Sequence, residues 1–153
     1  MSAEDVRLWL DESAQYFASQ INEATGLNPE QAHQKAEAIL REAVPDGGET
    51  PGHSFRWIVN DSDRVGRVWF GPRGVREAVT HIWDIGIEPA HQGHGYGGSA
   101  IDLVIEEARK SGSTLLTLNV FDFNPDARRL YERKGFVSGI SVGGHIPMSL
   151  SLT

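Results

Sequence analysis

One stretch constrains this chain more than any other: His91-Gln92-Gly93-His94-Gly95-Tyr96-Gly97-Gly98-Ser99. Before it, Val79-Thr80-His81-Ile82-Trp83-Asp84-Ile85-Gly86-Ile87 reads as a strand, followed by Glu88-Pro89. After it, Ile101, Val104, Ile105 and Ala108 recur at helical spacing, which predicts a helix over 98–110. A strand therefore feeds a glycine loop that opens a helix. The first turn of a helix leaves its N–H groups without intrahelical acceptors, and the helix dipole adds partial positive charge there. Glycines let that backbone approach a ligand with no Cβ in the way. Such a loop is a phosphate cradle, and the question is which phosphate ligand it takes.

Composition narrows the field. At 153 residues the chain is long enough for one domain with a real core, expected to span 1–153. Its 39% apolar and 23% charged content is that of an ordinary globular protein. No apolar run reaches the roughly 20 residues that cross a bilayer. The acidic N-terminus lacks the basic-then-apolar pattern of a signal peptide. With no cysteine, disulfides, thiolate metal sites and cysteine nucleophiles are excluded. A cytoplasmic protein with no membrane partner is expected. The net charge of −7 is concentrated: residues 1–50 hold ten Asp/Glu against three Lys/Arg, and the remainder balances at eleven of each. That surplus is either a pair of solvated helix faces or an acidic rim that attracts a cation. Nucleic acid is not an expected partner, because phosphate backbones need a basic patch.

The chain in order reads as follows. Ser2 caps a first helix with a stripe of Val6, Leu10, Phe17 and Ile21, ended by Thr25-Gly26. Asn28-Pro29 starts a second helix over 29–43, alanine-rich and weakly amphipathic, stopped by Pro45-Asp46-Gly47-Gly48. From residue 54 the period becomes two, with Phe55, Trp57 and Val59 on one face. Asn60-Asp61-Ser62-Asp63 turns into a strand from Val65 to Phe70, and Gly71-Pro72-Arg73-Gly74 turns into a third strand over 77–87. Short turns between consecutive strands predict an antiparallel meander. Leu115 to Phe121 is a further strand, and Asn124-Pro125 caps a short helix ending near Lys134-Gly135. Phe136 to Val142 and Ile146 to Leu152 are expected to form a closing hairpin around Gly143-Gly144.

Gly93-x-Gly95-x-x-Gly98 formally matches a dinucleotide fingerprint, but three hairpin-joined strands precede it where alternating βα units are required. A P-loop fails as well, since no Gly-Lys-Ser/Thr follows. Read from Gln92, the same stretch is Gln92-x-x-Gly95-x-Gly97. Together with Ile87-Glu88-Pro89 ahead of it and Asn124-x-x-Ala127-x-x-Leu130-Tyr131-Glu132-x-x-Gly135-Phe136 behind, it resembles the GNAT superfamily of acyl-CoA-dependent N-acetyltransferases. The resemblance covers 54–152 firmly and the two leading helices more loosely. It implies an α/β (α+β) fold with a mixed, mostly antiparallel central sheet flanked by helices. Relatives usually carry a strand ahead of the first helix. Here the chain starts almost directly in the helix, so either that strand is absent or the true start lies upstream, and the sheet is expected to begin with the 54–60 strand as an edge.

The resemblance also implies a set of roles. The diphosphate of acetyl-CoA would rest on the amides of Gly93, His94, Gly95, Tyr96, Gly97 and Gly98, with Gln92 in the motif and the Ser99 hydroxyl adding a contact. The imidazoles of His91 and His94 are expected at the surface. The strand before the loop would splay from the strand after the helix, laying Ile85 and Ile87 along the pantetheine arm. An N–H near Ile85 would polarise the thioester carbonyl. His81 matches a position where relatives often place a base, and a neutral imidazole suits that task; the alternative is a histidine packed among aromatics. Asp84 lies on the opposite face if the strand is regular, and a bulge would change that. Tyr131 matches a tyrosine that many relatives use as general acid toward the CoA sulfur, or else it packs on the short helix. Asn124 matches an asparagine that contacts the cofactor arm, a role compatible with a helix cap. Arg128 and Arg129 are assigned no contact. The implied activity is acetyl transfer from acetyl-CoA to a primary amine, by direct attack in a ternary complex and without a metal. The acceptor is a cationic small molecule or a protein or peptide amine, and the enzyme a monomer or homodimer. The rival reading is a non-catalytic acyl-CoA-binding sensor on the same fold.

Overall fold

Local punctuation sets the first fifty residues. Ser2 has extended backbone, its hydroxyl accepts from the Asp5 amide at 3.1 Å, and the Asp5 carboxylate accepts from the Ser2 amide at 3.1 Å. This reciprocal capping box opens α1 (Ala3–Thr25), and Gly26, left-handed at φ 71°, closes it. Asn28 and Gln31 repeat the device for α2 (Pro29–Ala43), with Pro29 at the first helical position. The computed structural model describes residues 1–74 and 78–153, which fall into two compact units, 1–53 and 54–153. In the first unit the buried line of α1 differs from the expected stripe. Val6 is buried, but Leu10, Phe17 and Ile21 are half-buried, and Trp9, Ser13 and Ala14 take the deep positions. Trp9 has the larger apolar surface to hide, so the helix turns that side inward. On α2 the buried line is Ala32, Ala36 and Leu40, one residue per turn.

The second unit is built on a six-stranded sheet. Its strands are β1 (Ser54–Asn60), β2 (Asp63–Gly71), β3 (Val79–Ile87), β4 (Leu115–Phe121), β5 (Val137–Ser138) and β6 (His145–Ser151). The spatial order is β1-β2-β3-β4-β6-β5, and every neighbouring pair is antiparallel except β3–β4. The β3–β4 connection is the crossover helix α3 (Tyr96–Lys110), as a parallel pair requires. A short helix, α4 (Pro125–Arg133), follows β4. The mixed, mostly antiparallel fold thus agrees with expectation. Among the described residues no strand precedes α1, and β1 forms a sheet edge.

The two faces of the sheet differ in chemistry. One face packs Val68, Phe70, Ile82, Leu116, Leu118 and Met148 against Ile101, Val104, Ile105 and Ala108 of α3. The other carries a ladder of rings: Phe55 stacks on Trp69 at 4.9 Å, Trp69 on Trp83 at 5.1 Å, and His81 meets Trp83 edge-on at 5.1 Å.

Four local expectations need correction. Val59 is 55% exposed, while Ile58 packs against the core. A register shift between Ile58 and Val59 turns the end of β1 outward. The third strand runs Val79–Ile87, and residue 77 lies outside the described residues. Helix α3 begins at Tyr96 instead of 98, because Gly95 caps it. Finally, the 136–142 arm is strand only at Val137–Ser138, with one further bridge from Val142 to His145, and Ile140 and Val142 face solvent. Alternating apolar residues there mimic a strand whose second face has nothing to pack on.

Candidate active site

The glycine loop is held by its own side chains. Residues Pro89–His91 make a single 3₁₀ turn, and the Gln92 side-chain amide donates to the Ile87 carbonyl at 3.0 Å, tying loop to strand end. Gly93 and Gly95 are left-handed, at φ 82° and 80°, conformations that an L side chain resists. The first bond into α3 runs from the Ser99 amide to the Gly95 carbonyl at 3.1 Å. The amides of Tyr96, Gly97 and Gly98 therefore have no intrahelical acceptor and project from the positive end of the helix. A Cβ on Gly97 would sit 3.5 Å from Leu130 and 3.8 Å from Ile87, and one on Gly98 3.4 Å from Lys134. This first turn is thus walled by α4 and the end of β3. Tyr96 does not project freely: its hydroxyl accepts from Asn60 at 2.9 Å, and its ring lies 5.6 Å from that of His94. His94 is exposed and His91 half-exposed.

Beside this cradle the sheet opens. β3 and β4 pair through Val79↔Leu115, Thr80↔Leu116, His81↔Thr117 and Ile82↔Leu118, and the ladder ends there. Both strands continue, to Ile87 and to Phe121, without further pairs between them. The cause lies one residue on. Against β2, Phe70 pairs with Ile82 but Trp69 pairs with Asp84, so Trp83 is an extra residue. Such a bulge bends its strand and sharpens the local twist, which carries β3 away from β4. Beyond the bulge, Ile85 pairs with Val68 and packs against the core, and Ile87 pairs with Gly66.

The same bulge settles the orientation of Asp84, where the regular-strand expectation fails. Trp69 stacks on Trp83 and is the register partner of Asp84, so His81, Trp83 and Asp84 all share the ring-bearing face. Tyr131 approaches from α4. It is 8% exposed, and its ring lies 5.9 Å from that of Phe136. Burial first, and the Asp84 charge second, push its phenol up to about 12. Tyr131 and Asp84 are thus within electrostatic reach of each other at the fork. His81 is 4% exposed, and its Nδ1 lies 2.8 Å from the Thr117 hydroxyl. Burial first, then the Arg73 charge, lower its pKa to about 4, so the imidazole is neutral at pH 7.

Asn124 caps α4 by accepting from the Ala127 amide at 3.3 Å. Arg128 and Arg129 pair within their own helix, with Glu132 and Asp126 respectively. Ser99 is exposed on the first turn of α3. Three participants escaped the sequence reading. Thr117 partners His81 from the neighbouring strand, and Asn60 reaches Tyr96 across 36 positions. Lys134, paired with Asp102 at 2.9 Å, flanks Gly98. The alternation of β4 could have flagged Thr117 as facing away from the apolar core. No local signal marks the other two.

Comparison with known proteins agrees with this architecture. Residues 9–136 match the family model described as the acetyltransferase (GNAT) family. The chain is 31% identical over 139 residues to the uncharacterized N-acetyltransferase YycN of Bacillus subtilis, covering 89% of this chain and 88% of that one. The crystal structure of that protein superposes with a TM-score of 0.79 at 30% identity, over 93% of this chain and 92% of the other. A mycothiol acetyltransferase of Geodermatophilus obscurus is 35% identical over 142 residues, 88% of this chain but 42% of that longer protein. The fold is also shared with yncA of Salmonella typhimurium, solved with acetyl-CoA, at a TM-score of 0.61 and 19% identity over 100% and 91% of the two chains. With the glycine cradle, the forked strands and the tyrosine at the fork already in view, these matches make this chain a member of the GNAT acetyltransferase family.

Proposed function

We propose that this acetyltransferase moves the acetyl group of acetyl-CoA to a primary amine by direct attack in a ternary complex, with residues 1–153 acting as one acyltransferase domain. The observation that carries the reading is the fork: a ladder that stops at Ile82↔Leu118 beside the free amides of Tyr96, Gly97 and Gly98. Those amides, with Gly93, His94 and Gly95 in the loop and the Ser99 hydroxyl, suit a diphosphate. Gln92 keeps the loop in register through the Ile87 carbonyl. The unpaired edge of β3 over Ile85 and Ile87 offers backbone groups to an amide-bearing pantetheine arm, and Asn124, the N-cap of α4, is assigned a contact to the same arm. Acetyl-CoA, when bound, supplies the activated thioester.

The chain's own groups do the rest. An N–H near Ile85 donates to the thioester carbonyl, a contact commonly worth about 3 kcal/mol of barrier. Tyr131, held near 12, keeps its proton at any working pH and is a donor to the departing sulfur, never a base. The incoming ammonium must lose a proton. Asp84 stands beyond the last ladder pair and near Tyr131, whereas His81 stands on the ladder with one nitrogen engaged by Thr117. The bulge therefore favours Asp84 as the acceptor of that proton, with His81 as the second candidate. The acidic surplus of residues 1–50 supports an acceptor that is cationic at its amine, whether a small molecule or a peptide. Free-thiol release from acetyl-CoA across a panel of amines tests the reading. Saturable release with an amine is expected; tight CoA binding with no release under any amine would leave the sensor reading in its place.

A further inference from the structure

On the ring-bearing face, the four strands from β3 to β5 align one residue each: His81↔Thr117, Thr117↔Ser149 and Ser149↔Val137. One step along, Asn119 pairs with Pro147. These residues floor an open groove of about 540 Å³, walled on one side by Arg73 and Gly74 from the start of the β2–β3 connection. Asn119 is the first β4 residue past the last β3–β4 pair, so one end of the groove meets the fork where transfer is proposed.

The charge of this groove is unlike that of residues 1–50. Among the described residues that line it there is no carboxylate, and Arg73 is its one fixed charge. Among the described residues Arg73 has no ion-pair partner, and its charge is felt at His81. The floor otherwise offers the Ser149 hydroxyl and the Asn119 amide, groups that hydrogen-bond a polar ligand but neutralise no cation. Among the described lining residues a polycation would find no carboxylate to pair with. An anion would meet a guanidinium, whose planar fork matches carboxylate and phosphate oxygens.

We infer that the acceptor amine carries an anionic group, carboxylate or phosphate, which Arg73 binds in this groove while the amine stands at the fork. The inference rests on the amine-acetyltransferase reading and adds the second recognition element of the acceptor. It predicts a zwitterion, cationic at the end that reacts and anionic at the end that is held.

The test uses thiol release by the full chain with four amines of similar length: β-alanine, O-phosphoethanolamine, β-alaninamide and putrescine. The kcat/KM for β-alanine or O-phosphoethanolamine is expected to exceed that for β-alaninamide by roughly tenfold or more, the usual scale of a charge-assisted hydrogen bond. Which of the two anionic amines is preferred identifies the group. In Arg73→Gln the ratio of anionic amine to amide should fall to about one, while the KM for acetyl-CoA holds. A preference for the amide or for putrescine, or an anion preference untouched by Arg73→Gln, overturns this inference and leaves the acetyltransferase reading standing. Release with none of a broad amine panel overturns both.

Discussion

Strand β4 has two neighbours and treats them differently. Toward β6 it is paired along its whole length, from Leu115↔Ser151 to Phe121↔His145. Toward β3 it is paired for four residues and then left open. The closed edge serves stability: Met148, opposite Leu118, is 2% exposed and sits in the core. The open edge leaves backbone N–H and C=O groups that must find water or a ligand. A sheet can thus keep one strand rigid from one side while offering its other side for binding. The bulge at Trp83 is what divides the two, since it starts one residue after the last β3–β4 pair.

Substitutions on the two edges should separate cleanly. On the closed edge, Met148→Ala removes a buried side chain from a packed core and is expected to cost about 2–5 kcal/mol of stability. Denaturant titration reads that loss, and CoA affinity of the folded fraction should hold. At the fork beside the open edge, Tyr131→Phe on α4 is expected to lower kcat by roughly a hundredfold or more, the usual range for losing a general acid. CoA binding by calorimetry should stay within about twofold of wild type on that account, the phenol acting only when the thiolate leaves. If kcat is unchanged, the tyrosine merely packs.

His81 lies where the two regimes meet, and it sharpens the comparison through pH. The unfolded chain takes up a proton near pH 6.5, which the folded chain refuses until about 4. The histidine's contribution to stability is complete above 6.5 and is lost as pH falls through that window, by roughly 3 kcal/mol in total. Urea unfolding from pH 7 to 4.5 should show this slope, and His81→Gln should flatten it. The rate–pH profile should show no inflection near 6.5 from this residue. For the proton taken from the amine, Asp84→Asn should slow turnover more than His81→Gln does; the reverse order would return the base to His81. The smallest effect is expected in the loop. Gly95→Val forces a β-branched residue into a left-handed conformation (φ 80°) and should weaken CoA binding about tenfold, or roughly 1.4 kcal/mol.

Much of this fold is written in short-range chemistry. Ser2 and Asn28 announce their helices because a capping side chain acts within three residues. The alternation of Leu116, Leu118 and Val120 identifies a strand buried on one face, and Gln92-x-x-Gly95-x-Gly97 identifies the cradle, since the left-handed turn at Gly95 depends on Gly95 itself. The short-range reading misplaces the residues whose state is decided by a neighbour far along the chain. Val137 to Val142 alternate like a strand but have little to pair with, and Phe17 and Ile21 are apolar yet not the side that α1 buries.

The sequence by itself determined the order of elements, the glycine cradle and the family, because each rests on residue types at fixed local spacing. Only the tertiary structure decided where β3 and β4 part, which face Asp84 takes, and that His81 is buried against Thr117 and lowered to about 4. Those features depend on the register between neighbouring strands and on the field of groups brought from other elements, such as Thr117, which lies 36 positions from His81. A bulge is one uncounted residue between two paired strands, and no spacing within a single strand records it.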